Sequence, residues 1–146
     1  MKSFPMIAAV SASLFTLSAC ATVGETLAET IAGAHRATLD GRQVVGTNAD
    51  SDGYATAELT IADKLDQICY DLNDLRNVGA VTSVEIRRGA VGEAGPVVLT
   101  LQPGSGGDFA NCANRSEWLE DALGRNANAY YIQVNTSTGA IRGQFQ

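Results

Sequence analysis

From residue 54 to residue 61 the chain alternates strictly, with Ala55, Ala57, Leu59 and Ile61 set against Tyr54, Thr56, Glu58 and Thr60. A period of two puts the two sets on opposite faces, so the spacing predicts a half-buried strand. Residues 66–72 repeat the pattern, with Ile68, Tyr70 and Leu72 on one side and Gln67, Cys69 and Asp71 on the other. Shorter runs at Arg36 to Leu39, Thr82 to Arg87 and Pro96 to Leu101 predict further strands, and Val97-Val98-Leu99 within the last predicts burial on both faces. Residues 89–95 read as a Gly-rich loop, and the Gly, Ser and Asn content of residues 102–113 predicts a surface loop.

One segment has a different period. Asn114 can cap a helix with Glu117 three residues on, and Trp118, Leu119, Ala122 and Leu123 form an apolar stripe that Gly124 stops. Beyond it, Tyr131, Gln133 and Asn135 alternate with Tyr130, Ile132 and Val134; Thr136 to Gly139 supplies a turn, and Ala140 to Phe145 leads back. Many short strands with one short helix predict a mainly β fold, an antiparallel Ig-like or Greek-key β-sandwich. Neither a repeat nor a second domain is visible in the pattern.

The N-terminal pattern is of another kind. Lys2 precedes an uncharged, apolar and small-residue run from Phe4 to Leu17, followed by Leu17-Ser18-Ala19-Cys20. The run is too short for a permanent membrane helix and has the layout of a secretory signal peptide. Leu17 to Cys20 resembles the lipobox of bacterial lipoproteins, which implies lipidation of Cys20 and attachment to a membrane through its acyl chains; the alternative is an ordinary signal peptide with Cys20 incidental. In a Gram-negative cell, Ala21 after the Cys resembles the outer-membrane sorting pattern, so the expected location is the cell envelope. The expected organisation is a signal peptide over residues 1–19, lipidated Cys20 and a tether to residue 35, and one domain over residues 36–146.

Without residues 1–19 the chain keeps 127 residues, enough for one core, and carries 16 acidic residues against 9 Lys and Arg. That balance argues against nucleic acid and against electrostatic docking on anionic lipid. If Cys20 is lipidated, Cys69 and Cys112 remain as an even pair in an oxidising compartment, either joined as a disulfide or left as two buried thiols.

The segment Tyr130-Tyr131-Ile132-Gln133-Val134-Asn135-Thr136, with Gly139-Ala140-Ile141-Arg142-Gly143-Gln144-Phe145 after it, resembles the closing signature of the CHRD domain family. Residues 85–98 resemble that family's stretch of alternating His, Gly, a loop and Gly-Pro-Val-Val, with Gly89, Gly95 and Pro96 in register. Asp40-Gly41 after Leu39 resembles its opening motif, although Gln43-Val44-Val45-Gly46 replaces the usual Pro-containing loop. The resemblance spans residues 36–146. It implies an interaction or structural module, and Cys at positions matching Cys69 and Cys112. It also exposes a loss, since Glu85, Arg87 and Asn135 stand where the family usually carries His.

That loss removes the imidazoles that zinc or copper would use, so no metal and no cofactor are expected. Glu85 and Arg87, two apart on a strand, share a face and are expected to form an ion pair. The only His, His35, falls at the tether boundary and is expected to be solvated. Asn48-x-Asp50-x-Asp52-Gly53 imitates an EF-hand start, but Leu59 holds the twelfth position and a strand follows, so Asp52-Gly53 reads as a turn. No catalytic residue is assigned: His35 is the only imidazole a triad could use, and Gly104-Ser105-Gly106 lacks a strand-to-helix setting. The expected function is a non-catalytic, lipid-anchored envelope module for an unknown protein or polymer. The alternatives are a degenerate metal-binding sandwich and a carboxylate-dependent envelope hydrolase.

Overall fold

The computed structural model describes residues 33–62, 67–114 and 117–146. The expected signal peptide and Cys20 lie outside the described residues, as does the tether up to residue 32. Among the described residues, eight strands and one α-helix follow in order: β1 (Gly33–Asp40), β2 (Tyr54–Ala62), β3 (Gln67–Arg76), β4 (Val81–Arg88), β5 (Val97–Leu101), β6 (Ala110–Asn114), α1 (Glu117–Asn126), β7 (Tyr130–Thr136) and β8 (Ala140–Gln144).

Every strand pairing is antiparallel, and the strands form one sheet in the order β5-β4-β7-β8-β1-β2-β3-β6. The mainly β, antiparallel architecture with one short helix is therefore as the alternation implied. The two layers are halves of a single sheet, nearly closed like a barrel, rather than two separate sheets. β8 and β1 hold them together through the Asp40–Arg142 pairing and reciprocal backbone bonds between Arg36 and Gln146. Gly143 permits that approach: a Cβ there would stand 2.6 Å from the Thr38 carbonyl oxygen.

The alternating residues meet between the halves. Ala55, Ala57, Leu59, Ile68, Tyr70 and Leu72 from one half face Val84, Ile86, Ile132, Val134 and Ile141 from the other. Apolar area leaving water in this interior is the main stabilising term. Leu119 and Leu123 of α1 add to the same core, both essentially inaccessible to solvent.

Several expectations need correction. The loop over residues 102–113 contains β6, because pairing with β3 stabilises backbone whose side chains (Ala, Asn, Cys) carry little strand signal. The Val97–Leu99 run is not buried on both faces: β5 is an edge strand, and Val97 remains 42 % exposed. Asn114 is the last residue of β6, and α1 runs through Gly124 to Asn126, followed by a 3-10 turn at Ala127–Ala129. Trp118 lies off the buried stripe and is 53 % exposed.

His35 needs correction as well. It lies within β1 opposite Leu59 and is half-buried. Burial disfavours its charged form and holds its pKa below the ordinary value, partly offset by a hydrogen bond with the Gln146 backbone.

Candidate functional site

The residues at the vacated His positions lie on the outer face of the β4–β7 pair. Inward-facing Val84 and Ile86 force Ser83, Glu85 and Arg87 outward, and Ile132 and Val134 do the same for Gln133 and Asn135. Register places Ser83 opposite Asn135, Glu85 opposite Gln133 and Arg87 opposite Tyr131. The result is one connected polar ladder. Gln133 Nε2 donates to Asn135 Oδ1 at 2.8 Å, Asn135 Nδ2 donates to Ser83 Oγ at 2.8 Å, and Ser83 Oγ donates to Glu85 Oε1 at 3.3 Å. Glu85 Oε2 accepts from Arg87 Nε at 2.8 Å, and the expected ion pair is present, partly shielded from water. Arg87 Nη1 continues the ladder to the Gly95 carbonyl at 3.0 Å.

A second arrangement adjoins it. Arg142, on β8 opposite Gln133, is only 1 % exposed. Its guanidinium stacks 3.5 Å from the Tyr131 ring centroid. Nη1 donates to the Glu93 carbonyl at 2.6 Å, while Nη2 donates to the Ala90 carbonyl at 2.7 Å and to Gln144 Oε1 at 3.1 Å. Desolvation lowers its pKa, partly countered by Tyr131 and Glu93. Gln144 Nε2 in turn donates to the carbonyls of Gly89, Asn128 and Tyr130. Tyr131 Oη accepts from the Gly95 amide at 3.0 Å.

These side chains freeze residues 89–95 as a surface loop. Gly95 is required there, because a Cβ would lie 1.5 Å from the Arg88 carbonyl oxygen. The loop in turn covers Tyr131, which is why this outward residue is as buried as inward-facing Tyr130. The alternation had placed Tyr131 in the set opposite the core.

A comparison with protein families matches residues 35–145 to the CHRD domain. The chain belongs to the CHRD domain family. The match takes in both arrangements and explains the C-terminal signature physically: Tyr131, Arg142 and Gln144 of this CHRD domain are the parts of a clasp on the loop. No curated protein and no solved structure matches the chain.

Cys69 and Cys112 form a disulfide, directly opposite one another in the β3–β6 pairing. Cys112 is exposed, so the bond lies on the outer face rather than in the core. Glu85, Arg87 and Asn135 share one face, yet they do not converge on a point: Glu85 touches Arg87 directly and reaches Asn135 only through Ser83. Among the described residues, no group of three or more His, Cys, Asp or Glu is placed to hold a metal ion. The guanidinium of Arg87 in the ladder does not fit a cation there.

In the EF-hand-like stretch, Asp50 is buried and accepts from Thr138 Oγ1 at 2.6 Å. The Gly53 amide bonds the Asp50 carbonyl in the turn that leads into β2.

Sequence reasoning missed the clasp and a cleft of about 550 Å3 lined by Leu72, Leu75, Val81, Leu101 and Phe109. A lone Arg among Ala140, Ile141, Gly143 and Phe145 was a usable signal for the clasp. The cleft had none, since it joins segments far apart in the chain.

Proposed function

We propose that this CHRD domain is a non-catalytic interaction or structural module, held in the cell envelope by a lipid on Cys20, an outer-membrane anchor in a Gram-negative cell. The observation that carries the module reading is the closed network on the outer face. Ser83, Glu85, Arg87, Gln133 and Asn135 bond to one another, and Arg142 locks the neighbouring loop. Polar groups satisfied in this way hold a shape that a partner can meet without an ordering cost. Crosslinking and recovery from solubilised envelope should return a defined protein or polymer. Turnover of envelope polymers by the purified chain would instead support the hydrolase reading.

The anchor rests on Leu17-Ser18-Ala19-Cys20. Cys20→Ser is expected to move the protein out of the membrane fraction or leave it unprocessed. A matured, lipid-labelled Cys20→Ser protein that still sediments with membranes would refute the anchor.

The shared face of Glu85, Arg87 and Asn135 favours a second reading, a scaffold whose metal ligands have been replaced. Calorimetry on the unmodified chain should show no micromolar zinc or copper binding, because a guanidinium repels cations and the remaining oxygens bind these borderline metals weakly. Glu85→His, Arg87→His and Asn135→His together should introduce zinc affinity, with the first pair contributing most, since only those two side chains touch. Micromolar zinc binding by the unmodified chain would overturn the expectation.

A further inference from the structure

We infer that β5 and the cleft at its end form a docking site for an extended segment of a partner protein, one that carries an apolar side chain followed by a basic residue. The inference rests on the module reading and names where and how that module binds.

The two edges of the sheet are unequal. β6 is protected: the disulfide ties it to β3, Asn111 Oδ1 accepts from the Cys112 amide at 2.8 Å, and Asn111 Nδ2 donates to the Pro103 carbonyl. β5 carries no such cross-link or side-chain cap; its one irregularity is a register shift near its start that leaves Val98 as an extra residue against β4, with Leu99 to Leu101 regular beyond it. Its sequence, Val97-Val98-Leu99-Thr100-Leu101, has no charge and no internal Pro, and among the described residues its backbone pairs with β4 alone. A row of unpaired amides and carbonyls on an apolar edge is satisfied by another extended backbone, which makes a strand the fitting occupant.

The cleft supplies selectivity. It opens at Thr100, Leu101 and Gln102, where β5 ends, and continues to Leu72, Leu75 and Phe109. The hydroxyl of Tyr70 both donates to the Gln102 carbonyl at 2.7 Å and accepts from the Gln102 amide at 3.0 Å, which fixes one wall. A peptide lying along β5 would deliver an apolar side chain into this space. Asp108 is the only charged residue lining the cleft; it is exposed, and its carboxylate makes no hydrogen bond or ion pair within the described residues. A basic residue after the apolar one complements it.

The test uses the purified full chain and a short acetylated peptide of alternating valine and threonine, ending in phenylalanine and lysine. Calorimetry should show saturable binding. Methylating alternate peptide nitrogens should weaken binding roughly tenfold or more in the methylation register that faces β5, the weight of one or two hydrogen bonds. Leu75→Lys should weaken it comparably, and Asp108→Asn should weaken it several-fold only when lysine is present. Binding indifferent to both methylation registers would overturn the proposal in favour of a simple apolar cavity. Absence of saturable binding would overturn it as well, and so would self-association through β5 that Val97→Lys abolishes, which would assign the edge to a second copy. None of these results touches the module reading, which fails only if the chain turns over a substrate.

Discussion

Replacing Arg142 with methionine is expected to destabilise the domain by about 3 kcal/mol and to lower its melting temperature by more than about 10 °C. The methionine keeps an unbranched chain of similar length but makes none of the bonds. The Glu93 and Ala90 carbonyls lose their donors, Gln144 Oε1 loses one, and Tyr131 loses the cation stacked on its ring. Arg142→Lys should recover only part of the loss, because one ammonium cannot reproduce the planar fork that reaches both carbonyls. Amide exchange should quicken at Glu93 and Gly95 in both variants, since the loop over residues 89–95 is tied down from this centre. A methionine variant that melts within about 2 °C of the parent would show that the clasp contributes little.

Removing the disulfide is the second large effect. Cys69 and Cys112 are 43 residues apart, and closing a loop of that length stabilises a fold by roughly 4 kcal/mol in the chain-entropy treatment, less any strain. Cys69→Ala with Cys112→Ala should therefore lower stability by about 2–4 kcal/mol, read by chemical denaturation of the paired variant against the parent. The loss should be local before it is global. β6 buries none of its side chains fully, whereas α1 beyond it is anchored by Leu119 and Leu123. Hydrogen exchange should first open residues 110–114 and the facing amides of β3. Parent protein from an oxidising compartment should yield the two linked peptides on non-reducing digestion; freely alkylated thiols would contradict the bond.

Both effects reside in features that the sequence disclosed unequally. Period-two alternation was sufficient for β2, β3 and β7, because each buries one face, and a buried face leaves a mark at every second residue. The pairing of Cys69 with Cys112 followed from counting and from family resemblance. The Glu85–Arg87 pair followed from their spacing on one strand. β6 escaped because its side chains bury almost nothing, so it has no alternation to read. β5 misled for a related reason: an apolar run signals burial, yet an edge strand can keep such residues exposed.

The sequence by itself determined the mainly β class, the buried faces of β2, β3 and β7, the short helix near residues 117–126 and the family, all of which are written in short local patterns. Only the tertiary structure decided that one sheet joins both layers through β8 and β1, that Arg142 is buried under the loop of residues 89–95, and that β5 is left at an open edge beside a cleft. The physical reason is the same in each case. Hydrophobic periodicity records whether a residue is buried, but it does not record which distant segment covers it. The clasp joins residues about 50 positions apart, Arg142 to Ala90 and Glu93, and its energy lies in carbonyls whose direction no side-chain pattern encodes.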